Sequence, residues 1–263
     1  MLEKFRRAKE AEVADLIRRR DAGHVVTPWT GTRPGFGAAL TAPGSSGIIA
    51  EYKRASPSKG DINLGVTPLT ACAGYKNAGA CALSVLTEAQ YFKGDLDYLT
   101  EVAPLGLPLL RKDFIIHPLQ VEATTATPAS AILLIVRMFT DDTELADLHA
   151  LCLATGLEPV VEVFDERDLD RAKAIGSRII QVNNRDLDTL QTDLNRCLGM
   201  VKRKATGEIW IGASGISTPE QVRELKNAGL DALLIGTALM QNADPGRGLV
   251  GLTQTRTDIG GAS

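Results

Sequence analysis

The sequence predicts an α/β protein, a (β/α)8 barrel with an N-terminal helical extension, and three observations predict it. Eight short apolar runs punctuate the chain, amphipathic stretches of helical periodicity separate them, and the first 46 residues follow a different pattern from the rest. A length of 263 residues suits one such barrel, which typically takes about 250, better than two smaller domains. Residues 1–263 therefore read as one domain in which 1–46 form an N-terminal helical arm.

The arm opens with a helix whose apolar seam is Leu2, Phe5, Val13, Leu16 and Ile17, then runs through a turn-rich stretch from Gly31 to Gly47. The eight runs follow: GIIAEYK (47–53), ACALSVLTE (80–88), LPLLRKD (107–113), SAILLIV (130–136), EPVVEV (158–163), SRIIQVN (177–183), EIWIGAS (208–214) and DALLIG (231–236). Near-continuous Val/Ile/Leu runs belong to parallel strands buried on both faces, and eight strand–helix units point to closure; a doubly wound open sheet is the alternative. Helix punctuation agrees. Thr67-Pro68 offers an N-cap and a first-turn proline with Gly79 at the far end, and Thr218-Pro219 with Gly229 repeats the pattern. The tail after Gly248 reads as frayed.

Composition excludes several classes of function. A net charge of −3 with 44% hydrophobic residues leaves no electrostatic footprint for nucleic acid or an anionic membrane. The opening MLEKFRRAKE lacks the apolar core of a signal peptide, and no apolar run nears the roughly 20 residues of a membrane span, so the expected location is the cytoplasm. Cys72, Cys81, Cys152 and Cys197 stand singly and read as small core residues, with neither zinc nor disulfides indicated. His24, His117 and His149 have no second ligand at metal spacing and read as surface residues; no metal and no cofactor is expected. Arg18, Arg19 and Arg20 read as a solvated helix end, and Trp29 and Trp210 as packing residues.

Active sites of such barrels lie at the C-terminal ends of the strands, where residues of alternating parity point inward. Glu51 and Lys53 share one face of the first strand while Tyr52 faces the other way. Lys112 closes the third run, Glu162 interrupts the fifth, Asn183 and Arg185 end the sixth, and Ser214-Gly215 end the seventh. Each alone has an ordinary reading as a surface ion. Together they imply function, because burying several charges in one barrel mouth costs several kcal/mol per ion unless they are paired. Gly215 after the seventh run and Gly236-Thr237 after the eighth offer backbone N–H groups in the usual phosphate-binding units of this fold, with Ser56 and Arg185 as further donors.

These motifs resemble one family. IIAEYKRASPSKGDI (48–62), SVLTEAQYFKGD (84–95), LLRKDFII (109–116), NNRDL (183–187) and SGI (214–216) are similar to indole-3-glycerol phosphate synthase, and the likeness extends over nearly the whole chain. It implies a carbon–carbon lyase of tryptophan biosynthesis. The implied substrate is 1-(2-carboxyphenylamino)-1-deoxyribulose 5-phosphate, which undergoes ring closure, decarboxylation and dehydration. It also implies roles: Lys112 as general acid on the ribulose carbonyl oxygen, Lys53 near the carboxylate and the leaving hydroxyl, Glu51 and Glu162 as acid/base carboxylates, and Asn183 on substrate polar groups. The implied phosphate contacts are Ser56, Arg185, Gly215, Gly236 and Thr237, and Ser214, from the loop read above as suited to phosphate, joins them as a substrate-binding residue. Pro57, Phe92, Phe114 and Leu133 would wall the aromatic ring. The expected partner is a small sugar phosphate, with the chain a monomer or weak homo-oligomer.

Departures from the family pattern keep a second reading open, a weakly active or non-catalytic barrel binding the same or a related sugar phosphate. Ala213 stands where the family has Glu, Phe164 where it has His, and Gln181 where it has Gly. The related phosphoribosylanthranilate isomerase is a rival, although no cysteine here sits at a strand end to serve as its base. Gln181 lies two residues before Asn183 and should share its inward face. The expectation is that its amide fills the gap left by Ala213 and bonds toward Lys53 or Glu51.

Overall fold

The computed structural model describes residues 1–186 and 189–253. Among them, eight parallel strands close into a barrel in chain order: β1 (Ile48–Tyr52), β2 (Ala82–Leu86), β3 (Leu109–Lys112), β4 (Ala131–Ile135), β5 (Glu158–Val163), β6 (Ile179–Asn183), β7 (Ile209–Ala213) and β8 (Ala232–Ile235). All eight runs named above are strands, and β8 pairs with β1 through Ile49 and Leu234 to complete the ring. The alternative of an open sheet is thereby excluded. Nearly every strand residue is buried, as expected when one face meets the barrel interior and the other the surrounding helices.

The helices are α1 (Leu2–Asp21), α2 (Phe36–Thr41), α3 (Pro68–Asn77), α4 (Ala89–Phe92), α5 (Asp97–Val102), α6 (Pro118–Thr125), α7 (Asp142–Ala154), α8 (Glu166–Ala174), α9 (Asn195–Met200), α10 (Pro219–Asn227), α11 (Thr237–Met240) and α12 (Pro245–Thr253). The caps read from the sequence are present: the Thr67 side chain accepts from Thr70 N, and Thr218 forms a capping box with Gln221. Helix α12 carries the chain five residues beyond the point where fraying was expected, and residues 254–263 lie outside the described residues. A two-stranded hairpin, Ala55–Ser56 with Gly60–Asp61, rises from the end of β1 over the barrel mouth.

The arm corrects two expectations. The stretch from Gly31 to Gly47 contains α2, whose buried Phe36 and Leu40 close the bottom of the barrel. Its start has no local cap; instead the Glu158 carboxylate, at the foot of β5, accepts from Phe36 N and from Gly37 N at 3.0 Å. In α1, Phe5 is buried but Val13, Leu16 and Ile17 are only half-buried, and the second deeply buried residue is Lys9. Its ammonium reaches Asp113 Oδ1 and Glu12 Oε2, both at 2.6 Å.

His149 is a third correction: it is buried on the inner face of α7 beside Leu145, Leu148 and Cys152, and burial lowers its pKa. His24 is exposed and His117, half-buried, accepts from Leu119 N as the N-cap of α6. The four cysteines are free, and burial pushes the thiols of Cys72, Cys152 and Cys197 up to about 12, which keeps them protonated and inert. Trp210 is fully buried, and Arg18, Arg19 and Arg20 are exposed as expected. No described helix is long and apolar enough to cross a membrane.

Candidate active site

A cavity of about 400 Å³ opens at the C-terminal ends of the strands, and every site residue named from the sequence lines it. Strand parity accounts for this convergence. Register sets Glu51 beside Ser84, Leu86 beside Lys112, Ile135 beside Glu162, and Asn183 beside Ala213, so all eight point into the barrel. Tyr52 and Arg111, one residue out of phase, point into the helical layer: the Tyr52 hydroxyl donates to Val66 O, and Arg111 Nη1 donates to Gln120 O at 3.0 Å.

Two ammonium–carboxylate pairs occupy the mouth. Lys53 Nζ lies 2.8 Å from Glu51 Oε1, and Lys112 Nζ lies 3.0 Å from Glu162 Oε2. The carboxylates are buried deeper than the lysines: Glu51 and Glu162 side chains are each 4% exposed, against 15% for Lys53 and 16% for Lys112. The anions thus sit on the floor and the cations face the open space, arranged to meet an incoming anionic or carbonyl oxygen. Each carboxylate has further support. Ser84 Oγ donates to Glu51 Oε2 at 3.3 Å, and Asn183 Nδ2 donates to Glu162 Oε1 at 3.0 Å.

An aromatic wall stands on one side. Phe114 and Phe92 lie 6.1 Å apart between ring centroids, and Phe5 of α1 stacks on Phe114 at 4.2 Å. Phe5 was legible only as part of an apolar helix seam, not as a site residue. Its placement makes the arm part of the cavity. Pro57 and Leu133 line the same cavity, as do Ser58, from the Ser56-Pro57-Ser58 segment read as a hydroxyl donor for the anion, and Thr192, which carried no signal in the sequence.

On the other side lie the turns after β7 and β8. Ser214 and Gly215 both have left-handed φ, 67° and 78°, and the Asn184 side chain donates to Ser214 O at 3.1 Å, which fixes that turn. Gly236 is close against Glu51, where a Cβ would overlap the carboxylate, so glycine there makes room for the acid. Arg185 lines the cavity, donates from Nη1 to Leu190 O at 2.8 Å, and has its pKa lowered by burial. Ser56 is buried in the hairpin with its Oγ 3.4 Å from Ser58 Oγ.

Gln181 corrects the remaining expectation. Its side chain is fully buried, but its amide does not reach Lys53 or Glu51; Nε2 donates to Glu162 Oε2 at 2.5 Å. Register explains the choice, since Gln181 stands opposite Glu162 on β5 and opposite Ile211 on β7, whereas Ala213 stands opposite Asn183. Ala213 leaves its space to the cavity. Among the described residues no group of three or more His, Cys, Asp or Glu side chains is arranged to hold a metal ion.

The sequence profile of one family, "Indole-3-glycerol phosphate synthase", matches residues 2–250. Curated relatives of that name include one from Laribacter hongkongensis, 39% identical over 259 residues and covering 96% of this chain and 98% of the relative. Another, from Aquifex aeolicus, is 45% identical over 217 residues, covering 81% and 83%. Among solved structures, 3-hexulose-6-phosphate synthase superposes with a TM-score of 0.60 at 17% identity, covering 78% of this chain and 97% of that one, a likeness of fold alone.

Proposed function

The chain belongs to the indole-3-glycerol phosphate synthase family, and from that premise we propose which of its residues carry the reaction. It is a carboxy-lyase of tryptophan biosynthesis, converting 1-(2-carboxyphenylamino)-1-deoxyribulose 5-phosphate to indole-3-glycerol phosphate. The observation that supports the assignment of roles is the double ion pair, Lys53–Glu51 and Lys112–Glu162, set between an aromatic wall and two glycine turns in one cavity.

The chemistry asks for this arrangement. The ring carbon bearing the carboxylate attacks the ribulose carbonyl, and oxyanion formation is relieved by a proton from Lys112, whose Nζ faces the cavity. Both reacting carbons belong to one flexible molecule, so a phosphate grip at the glycine turns and an aromatic slot at Phe92 and Phe114 hold its ends at reacting distance. Loss of carbon dioxide then restores the aromatic ring without any electron sink. Loss of water needs one base and one acid: Glu162 takes a proton and Lys53, with Glu51 behind it, protonates the departing hydroxyl. Asn183 orients the substrate's polar groups, and Ser56, Arg185, Ser214, Gly215, Gly236 and Thr237 hold the phosphate, with Pro57 and Leu133 closing the aromatic slot.

Because Phe5 stacks on Phe114, the arm of residues 1–46 belongs to the same catalytic unit in this reading. The partner is a free sugar phosphate, met in the cytoplasm by a monomer or weak homo-oligomer. Indole fluorescence appearing from the synthetic substrate tests the reading. Lys112→Ala should lower turnover by about 10²- to 10⁴-fold while substrate affinity falls far less. Near-normal turnover in that variant would overturn the assignment of the general acid.

A further inference from the structure

Gln181 takes no part in the reaction as just assigned, yet it is built into the site. It springs from β6 directly opposite Glu162, is fully buried, and spends Nε2 on the Glu162 carboxylate oxygen that also receives Lys112. Its own Oε1 is buried and has no hydrogen-bond partner. Buried amides ordinarily have both ends satisfied, because an orphaned acceptor is destabilising. Here the bond to Glu162 is what fixes the rotation of the amide about its last side-chain torsion. That torsion is broad and roughly two-fold, so the amide can present either end.

A carboxyl that moves protons exists in two forms within each turnover, and they need opposite neighbours. The carboxylate only accepts, whereas the acid has an O–H to donate. A primary amide serves both by turning over: NH2 toward the carboxylate, C=O toward the acid. Without such a partner, protonating Glu162 removes the charge that binds Lys112 and leaves a buried O–H to find an acceptor.

We propose that Gln181 is a positioning residue for Glu162, its amide donating to the carboxylate and, turned over, accepting from the acid. Glu162 thereby keeps its place beside Lys112 through both halves of the proton cycle. The proton that Glu162 takes from the substrate stays on that carboxyl until it is released, and Gln181 itself gains and loses none. The groups facing Glu162 are Lys112 from β3, the neutral Gln181 and Asn183 from β6, and the apolar Ile135 from β4; Arg137, Asp168 and Arg185 line the small pocket beside it, and Glu51 of β1 and Lys53 just after it stand paired in the main cavity. The inference rests on the acid/base role given to Glu162 above.

The test is steady-state kinetics of indole-3-glycerol phosphate formation across pH for the wild type, Gln181→Met and Gln181→Glu. Met fills similar space without hydrogen bonds, and losing one bond to a charged group should lower kcat about 10-fold with KM within about twofold. The carboxylate loses a donor, which disfavours its charged form, so the acid limb of the kcat profile should move to higher pH. Glu at 181 can donate only while protonated. That variant should retain activity at low pH and lose it as pH rises and the two carboxylates repel. Side chains that merely fill space would alter thermal stability and leave the profile shape unchanged, and wild-type profiles in both variants would overturn the proposal. If Gln181→Met does not fold, the profile of Gln181→Glu decides alone, an unaltered shape again overturning it. Failure of the wild type to form indole-3-glycerol phosphate would instead overturn the assigned reaction on which the proposal rests, whereas an active wild type with unaltered variant profiles overturns the proposal alone.

Discussion

Asp113→Ala should be among the most destabilising single substitutions in this protein. Asp113 sits between Lys112 and Phe114 but faces away from the cavity floor into a buried network. Its Oδ1 lies 2.6 Å from Lys9 Nζ, and its Oδ2 accepts from Arg111 Nη2 at 3.0 Å and from Thr87 Oγ1 at 2.6 Å. Burial alone would raise the Asp113 pKa, but Arg111 and Lys9 outweigh it and hold the carboxyl below the usual carboxylate range. Lys9 and Arg111 side chains are 3% and 2% exposed, so removing Asp113 leaves two buried cations with Glu12 as their remaining carboxylate. Breaking a buried pair by deleting one partner costs about 3–5 kcal/mol, against a total stability of about 5–15 kcal/mol. For a chain of this size that is a fall in Tm of about 6–20 °C. Lys9→Met should lose less, because Asp113 keeps Arg111, Thr87 and the Phe114 amide. The double variant should fall short of the sum of the two, since the second deletion removes a charge the first left stranded. Urea unfolding at neutral pH is the assay, well above the unfolded carboxyl pKa of about 3.9, where the whole contribution is present. A loss below about 1 kcal/mol in Asp113→Ala, or strict additivity with Lys9→Met, would refute the reasoning.

Two further outcomes follow from the site and from α7. Inorganic phosphate should compete with substrate, and Arg185→Ala should weaken that competition by about 1–3 kcal/mol while Arg185→Lys keeps part of it; unchanged inhibition in the alanine variant places the anion elsewhere. His149 resists protonation when folded because burial lowers its pKa, so stability is full above the unfolded value of about 6.5 and falls as pH drops below it toward the folded value. His149→Gln should flatten that fall between neutral and mildly acidic pH in urea unfolding, leaving the share of His117, whose pKa is also lowered by burial; identical slopes in both proteins would refute it.

The barrel was legible because its signal is local and repeated: eight apolar runs of strand length separated by stretches of helical periodicity, two of them with matching helix caps. The polar residues of the cavity were legible for a related reason, since alternation along a strand decides which side chains point inward, and Glu51, Lys53, Lys112, Glu162 and Asn183 all obey it. What stayed hidden depends on partners far apart in sequence. Helix α2 takes its N-terminal partner from Glu158, and Lys9 is buried only because Asp113 waits for it, so neither could be read from its own neighbours. His149 is different. Leu145, Leu148 and Cys152 surround it at helical spacing, so a face-by-face reading of α7 would have put it inside, where the polar look of the segment put it outside.

Gln181 marks the boundary between these cases. Parity correctly turned it inward, but a strand in a closed barrel has two neighbours, and nothing in the sequence says which one an amide will reach. The expectation turned the amide to the β7 side, into the gap left by Ala213 and toward Lys53 or Glu51. Register instead puts Glu162 directly across from Gln181 on β5, while the space beside Ala213 belongs to the layer of Asn183. A one-layer difference, two residues of strand, thus separates a side chain that fills a gap from one that holds the Glu162 carboxylate. The departure at 213 and the departure at 181 act on different groups: the first widens the cavity, the second tightens the floor beneath Lys112.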